Sequence, residues 1–409
     1  MTVQSEVRAR DGNAFDEAQR IMSAFADHTG LASTSVAPRR YLWTDAFAVC
    51  NYLDLYRWSG DIGQKNLALQ LVDQVHHVLG RHRPDDHRTG WISGLGDVDG
   101  ERRPTSGGLR IGKPLPERQV GEPEGDRLEW ERDGQYFHYL TKWMQALDRV
   151  AVMTGDPSYL IWAVELARAA HAAFTFRPAV GGPLRMHWKM SIDLSRPLVP
   201  SMGHHDPLDA FVTYCRLAAT ANRAGRTPGE LDLTAEIADA ATMCAGQHWA
   251  TEDPLGIGGL LNSAVVLMEL CPEQPELAEL LAKVLDDASA SLHRCLRTHN
   301  LQGPADARLA FRELGLSIGL HGIVGMRAQV ETSEPTHLAR TVASRLRDLE
   351  RYVPLAGAVE QFWRNRSHQQ SRTWTSNEDI NAVMLATSLL ARVNTAPAHE
   401  TRRATPRSF

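Results

Sequence analysis

Apolar residues recur along this chain at helical rather than strand spacing. Runs of that kind cover residues 15–26, 41–58, 62–79, 135–153 and 158–174, then 208–223, 231–248, 257–270 and 276–296. They continue at 309–330, 335–352, 355–363 and 378–393, and strand signals are scarce throughout. Within successive pairs the first run is the more apolar and aromatic, and the second is richer in charge, Ala and Leu. Stop-and-start signals separate them: Ser59-Gly60-Asp61, Thr154-Gly155-Asp156-Pro157, Gly225-Arg226-Thr227-Pro228 and Cys271-Pro272-Glu273-Gln274-Pro275. The pattern describes buried inner helices wrapped by outer helices that face water. About six such hairpins predict an all-α fold, an (α/α)6 barrel, rather than an open solenoid with its tighter repeat period. The last run, 378–393, takes 355–363 as its partner.

Two stretches break the helical period. Residues 81–132 are rich in Gly, Pro and charge and contain Gly90-Trp91-Ile92-Ser93-Gly94-Leu95 and Thr105-Ser106-Gly107-Gly108-Leu109-Arg110-Ile111-Gly112-Lys113. Residues 181–201 contain Met186-His187-Trp188-Lys189-Met190. Loops this long in a compact domain are lids or binding loops. Each follows an outer helix and precedes an inner one, which puts both at the same end of the barrel. One domain is expected over 1–396, with 81–132 inserted over its mouth and 397–409 as a frayed tail.

The chain has 409 residues, 43% hydrophobic and 23% charged, with a formal net charge of −5. That composition is globular, and its mild acidity argues against a nucleic-acid partner, which would require a basic face. No window has the apolar length of a membrane span, and the N-terminus lacks a signal-peptide core. The five cysteines (Cys50, Cys215, Cys244, Cys271, Cys295) are scattered, which fits reduced thiols in a cytoplasm. No cofactor is expected. No metal is expected either: His204, His205 and Asp206 lack a further ligand at metal spacing, and Asp85-Asp86 lacks acids one turn away. A homodimer is left open.

Candidate chemistry gathers at the inner-helix starts, centred on Met202-Gly203-His204-His205-Asp206-Pro207-Leu208-Asp209-Ala210. Here Asp206 is placed to cap a helix, Pro207 suits its first position and Asp209 complements the dipole. The adjacent histidines are able to move protons. Three other starts carry Asp45; Glu129, Glu131, Asp133, Tyr136 and His138; and Trp374, Ser376, Glu378 and Asp379. Each acid also has a structural reading: Asp133 as an N-cap, Ser376 with Asp379 as a capping box, Asp45 as a dipole partner. Capping does not call for the company of Trp43, Trp91, Trp130, Tyr136, Trp188 and Trp374. Aromatic faces beside carboxylates and imidazoles suit a small-molecule carbohydrate, although core packing is the simpler reading of any one tryptophan.

The order Arg40-Tyr41-Leu42-Trp43-Thr44-Asp45-Ala46, Ser59-Gly60-Asp61, Asp86-His87-Arg88-Thr89-Gly90-Trp91 and Asp97-Val98-Asp99-Gly100 resembles the opening of the N-acylglucosamine 2-epimerase superfamily. The layout is also similar to that of six-hairpin glycosidases. The resemblance covers the first third of the chain and implies a sugar epimerase or isomerase on an (α/α)6 barrel. Of that family's histidine–glutamate pair on a later inner helix, His321 is the nearest counterpart, and no glutamate follows it at the expected distance.

Two chemistries compete. In the first, imidazoles exchange a proton beside a sugar carbonyl, with His204 or His205 opposite His138, His187 or His321. In the second, two carboxylates cleave a glycosidic bond, drawn from Asp45, Glu129, Glu131, Asp133, Asp206 and Glu378. The first is narrowly favoured. Across the two, the candidate catalytic residues are His204, His205, His138, Asp206, Asp45 and Glu378. The residues expected to bind substrate are Trp43, Trp91, Glu129, Glu131, Tyr136, His187, Lys189, His321 and Trp374. A noncatalytic or cyclase-type barrel is the third reading, since fold does not dictate function.

Overall fold

In the computed structural model, the predicted breaks are built as capped turns. Gly60 and Gly155 end their helices in the left-handed region (φ 71° and 72°), and Asp61 and Asp156 each accept a 2.9 Å bond from a backbone N–H two residues on. The structure describes residues 3–395 except 34, 124, 180, 226–228, 230, 299–300 and 333–336. The expected tail 397–409 and the Arg226-Thr227-Pro228 break lie outside the described residues.

The main helices are α1 (Val3–His28), α2 (Leu42–Ser59), α3 (Ile62–Leu79), α4 (Phe137–Thr154), α5 (Pro157–Phe174), α6 (Asp206–Arg223) and α7 (Thr234–Cys244). They continue as α8 (Pro254–Leu270), α9 (Ala278–Thr298), α10 (Ala310–Thr332), α11 (His337–Glu350), α12 (Pro354–Arg364) and α13 (Glu378–Thr395). Helices α2, α4, α6, α8, α10 and α13 each pack on the next, and α13 returns to pack on α2. The ring is closed. Helix α2 buries residues all round, as an inner helix must, whereas outer α3 buries a stripe of Ala68, Leu71, Val72, Val75 and Leu79. The expected pairing of the last inner helix is corrected: among outer helices α13 packs on α1 rather than on α12, so the N-terminal helix completes the outer layer, while α12 rests on α10 more than on α13. The continuous apolar core lies between the two layers. No helix among the described residues is long and apolar enough to cross a membrane.

Inner helices α8 and α10 approach backbone to backbone. A Cβ on Gly258 would lie 2.0 Å from the Gly315 carbonyl oxygen, whereas one on neighbouring Gly259 would meet nothing within 4 Å. Gly258→Ala is therefore expected to destabilise by about 1–3 kcal/mol despite alanine's better helix propensity. Gly259→Ala should stabilise by about 0.5–1 kcal/mol. Urea denaturation of both variants checks the pair, and equal effects would refute the close approach.

Residues 81–132 and 181–201 do lie together. Strand β1 (Gln135–Tyr136) pairs with β4 (Lys189–Met190), which pairs with β5 (Pro197–Val199), all antiparallel; β2 (Thr175–Phe176) pairs with β3 (Arg185–Met186). Arg88 links the two stretches through Asp193 (3.0 Å), and Arg118 donates to the Leu198 carbonyl (2.7 Å).

Candidate active site

Because outer returns separate successive inner helices, all six inner helices begin at the same end, where a cavity of about 560 Å3 opens. Tyr41 and Trp43 of the α2 start line it, with His138, Tyr139 and Lys142 of α4 and His205, Asp206 and Asp209 of α6. Asp253 and Gly256 come from α8, Phe311 and Arg312 from α10, and Asn377 from the approach to α13. His204 joins at the rim, and the irregular stretches add Lys113, Trp130 and Trp188. The expected convergence of inner-helix starts is what the fold produces.

Asp206 is the unusual acid among them. It is the first residue of α6 and 4% exposed, and its Oδ2 has no hydrogen-bond partner among the described residues. Its side chain does not cap the helix; His205 holds the N-cap position without a side-chain bond. Burial, reinforced by the charge of Asp209 one turn on, pushes the Asp206 carboxyl up to about 8, against the pull of the Gly203 N–H and Lys142. Asp206 is therefore protonated at neutral pH. A Cβ on Gly203 would lie 2.3 Å from Asp206 Oδ2, so only glycine leaves room for that carboxyl. Asp209 lies 3.4 Å from Lys142 Nζ, and Asp253 is held by Arg312 at 2.8 Å.

His205 Nε2 lies 2.7 Å from the Trp249 carbonyl. A carbonyl only accepts, so Nε2 carries the proton and Nδ1 keeps its lone pair. Burial holds the His205 imidazole below its ordinary value, and burial pushes His138 down to about 4. Both are neutral near pH 7. Tyr41 and Tyr139 share a 2.6 Å hydrogen bond between their hydroxyls. Trp43 packs edge-on to Phe311 at 6.4 Å, and Trp130 edge-on to Trp188 at 4.8 Å.

Of the expected site residues, His204, His205, His138, Asp206 and Trp43 reach the cavity wall, and the others do not. Asp45 is buried against Arg40 (3.3 Å) and accepts from the Tyr41 N–H (2.8 Å), so it braces the α2 start. Glu131 and Glu378 are exposed outside the cavity. Trp91 packs under the Arg81 guanidinium at 4.4 Å, and Trp374 stacks on Trp363 at 5.8 Å. His187 stacks on Phe176 at 4.0 Å, away from the cavity lining. His321 does have a glutamate: Glu360 of α12 accepts from it at 2.6 Å, across helices and behind the inner ring. Asp133 is not an N-cap but a hub that receives Arg110 (2.9 Å) and the Gly112 N–H (2.9 Å). Asp379 turns to His28 rather than closing a capping box with Ser376.

Glu129 and Lys189 form a buried pair at 2.9 Å, and Lys189 also donates to the carbonyls of Glu129 and Arg132 at 2.8 Å each. Each is the chain neighbour of a cavity tryptophan, Trp130 or Trp188. The pair therefore fastens the aromatic wall without touching the cavity. Tyr136 supports the same wall from behind, 5.3 Å from Trp188.

Sequence reasoning missed Tyr139, Lys142, Asp253, Arg312 and Lys113. Asp253-Pro254 repeats the Asp206-Pro207 signal, and Lys142 stands one turn beyond His138, so those two were within reach. Nothing local marked Arg312. Among the described residues, no three His, Cys, Asp or Glu side chains are grouped to hold a metal ion, and the five cysteines are free thiols.

Fold and cavity together define an (α/α)6 barrel with a chemically equipped mouth. The same architecture is found in a GH76 alpha-mannanase of Bacteroides thetaiotaomicron, solved as a selenomethionine derivative, at a TM-score of 0.53 and 10% identity, covering 95% of this chain and 98% of that one. A cellobiose 2-epimerase of Spirochaeta thermophila aligns at 0.47 (12% identity, 92% and 98% covered), and one of Bacillus thermoamylovorans at 0.42 (8%, 76% and 75%). At these scores the two epimerases add nothing to the fold assignment. No family model and no curated protein matches the sequence.

Proposed function

We propose that this chain is a carbohydrate-active enzyme that cleaves a glycosidic bond at the barrel mouth, with the ring and the 81–132 loop acting as one unit. The observation that carries the reading is Asp206: a carboxyl in the cavity wall that keeps its proton at neutral pH. Asp206 gives that proton to the leaving glycosidic oxygen as the bond to the anomeric carbon breaks. Asp209, one turn along the same helix face, takes a proton from the water that adds to the anomeric carbon. Asp206 finishes ionised and Asp209 protonated, and exchange with solvent resets both. Trp43, Trp130 and Trp188 supply faces for the sugar ring. The mannanase of the same fold is a glycoside hydrolase by its name.

This reverses the narrow preference for imidazole chemistry, which retains one specific support: His205 Nδ1 keeps a lone pair beside Gly256 on the cavity wall. NMR of a panel of free sugars and oligosaccharides in D2O separates the two. New reducing ends without deuterium at C2 are expected. Deuterium at C2 with the linkage intact would overturn hydrolysis and move the assignment to His205.

A further inference from the structure

One cation on the cavity wall is left without an ion-pair partner among the described residues. Lys113, Lys142 and Arg312 face Asp206, Asp209 and Asp253. Lys142 and Arg312 approach Asp209 and Asp253 respectively, and protonated Asp206 contributes no charge. That leaves Lys113, which has no carboxylate within ion-pair distance among the described residues; its Nζ instead lies 5.4 Å from the centroid of the Tyr41 ring. Arg312 spends Nη1 on Asp253, while its Nε is buried without a hydrogen-bond partner among the described residues. The two cations flank the Tyr41–Tyr139 pair, Lys113 over Tyr41 and Arg312 acting on Tyr139. Six inner-helix N-termini point their positive ends at the same space. A neutral sugar can accept hydrogen bonds from these donors but leaves the Lys113 ammonium without a counter-charge.

We propose that the sugar bound here carries an anionic carboxylate, as a uronic acid does, held between Lys113 Nζ and the Arg312 side chain. The inference rests on the carbohydrate reading above and names the substrate class for the same cavity. A carboxylate suits the wall better than a phosphate ester. It is a planar monoanion matching the one unpaired ammonium and an Arg–Lys pair of donors, whereas a phosphate monoester brings nearly two charges beside Asp209 and Asp253.

Titration calorimetry on the full chain tests this with matched probes that differ only at C6: glucuronate against glucose, galacturonate against galactose, mannuronate against mannose, with glucose 6-phosphate as a further arm. At least one uronate is expected to bind ten times or more tightly than its neutral partner. That preference should shrink in 0.5 M salt and fall to near parity in Lys113→Met, which keeps the length of the side chain and lies outside the proton-transferring pair. Neutral sugars binding as tightly as uronates would overturn the anionic class and leave the carbohydrate reading standing. A preference that survives Lys113→Met, or tighter binding of the 6-phosphate than of any uronate, would overturn the assignment too. Silence across every pair would sink both readings together.

Discussion

Asp206→Asn is expected to lose hydrolytic turnover by about a thousandfold, the range a positioned general acid supplies, while making the folded protein more stable at pH 8. The two effects share one cause. Burial beside Asp209 raises the Asp206 carboxyl to about 8, so the folded state binds a proton that the unfolded chain gives up near pH 4. A group raised in the folded state contributes its stability fully below its unfolded pKa. That contribution is lost as pH rises from about 4 to about 8. At pH 8 the wild type therefore bears a penalty of a few kcal/mol, at ~1.4 kcal/mol per pKa unit, of which the neutral amide is expected to recover about 1–3 kcal/mol. At pH 4 the two proteins should denature within about 0.5 kcal/mol of each other. Thermal melts across that range, beside turnover of a hydrolysable oligosaccharide, decide the matter. Full activity, or a variant less stable at pH 8 than at pH 4 relative to wild type, would remove Asp206 from the role of acid.

Glu129→Ala is expected to destabilise by about 3–5 kcal/mol, a larger loss than the backbone clash of Gly258→Ala brings. It leaves the Lys189 ammonium, whose side chain is 0% exposed, buried without its counter-charge. Burial already holds the Lys189 ammonium below its ordinary value, and the Glu129 carboxylate opposes that shift. Removing the carboxylate also takes one partner from Arg118, 3.1 Å away, and unfastens the segment that presents Trp130. Substrate affinity should then fall even in the fraction that folds. Pairing the change with Lys189→Met removes the orphaned charge and should recover part of the stability, less the cost of the Glu129 and Arg132 carbonyls that lose their donor. A double variant as unstable as Glu129→Ala, measured by urea denaturation, would show that the pair contributes through packing instead.

The helices were legible because their signals are local. Apolar spacing, Gly60 and Gly155 as left-handed stops, and Asp61 and Asp156 as caps each act within one or two turns, and α3 occupies the residues its pattern predicts. The alternation of apolar and charged helices carried further, to a closed ring with every inner-helix start at one end. The pairing of α13 with α1 was not legible, because amphipathic faces say that a helix needs a partner and not which one. The site divided along the same line. The His205-Asp206 turn faces the cavity because it begins an inner helix, a position that sequence order dictates. Glu129 and Lys189 have the residue types of a binding site, yet they point at each other, from a short helix and a strand respectively, and no spacing rule relates positions 129 and 189.

What the sequence determined by itself, then, is the helical periodicity, the turns and the end of the barrel at which polar and aromatic residues collect. Only the tertiary structure decided which acids are buried, which charges are already paired and which remain to meet a ligand. Asp45, Asp133 and Asp206 look alike as acids near helix starts. Arg40 and Arg110 pair with the first two, while among the described residues Asp206 has no salt-bridge partner and its Oδ2 no hydrogen bond, with Asp209 beside it on the cavity wall. Protonation and chemistry follow from that environment, which is assembled from residues far apart in the chain.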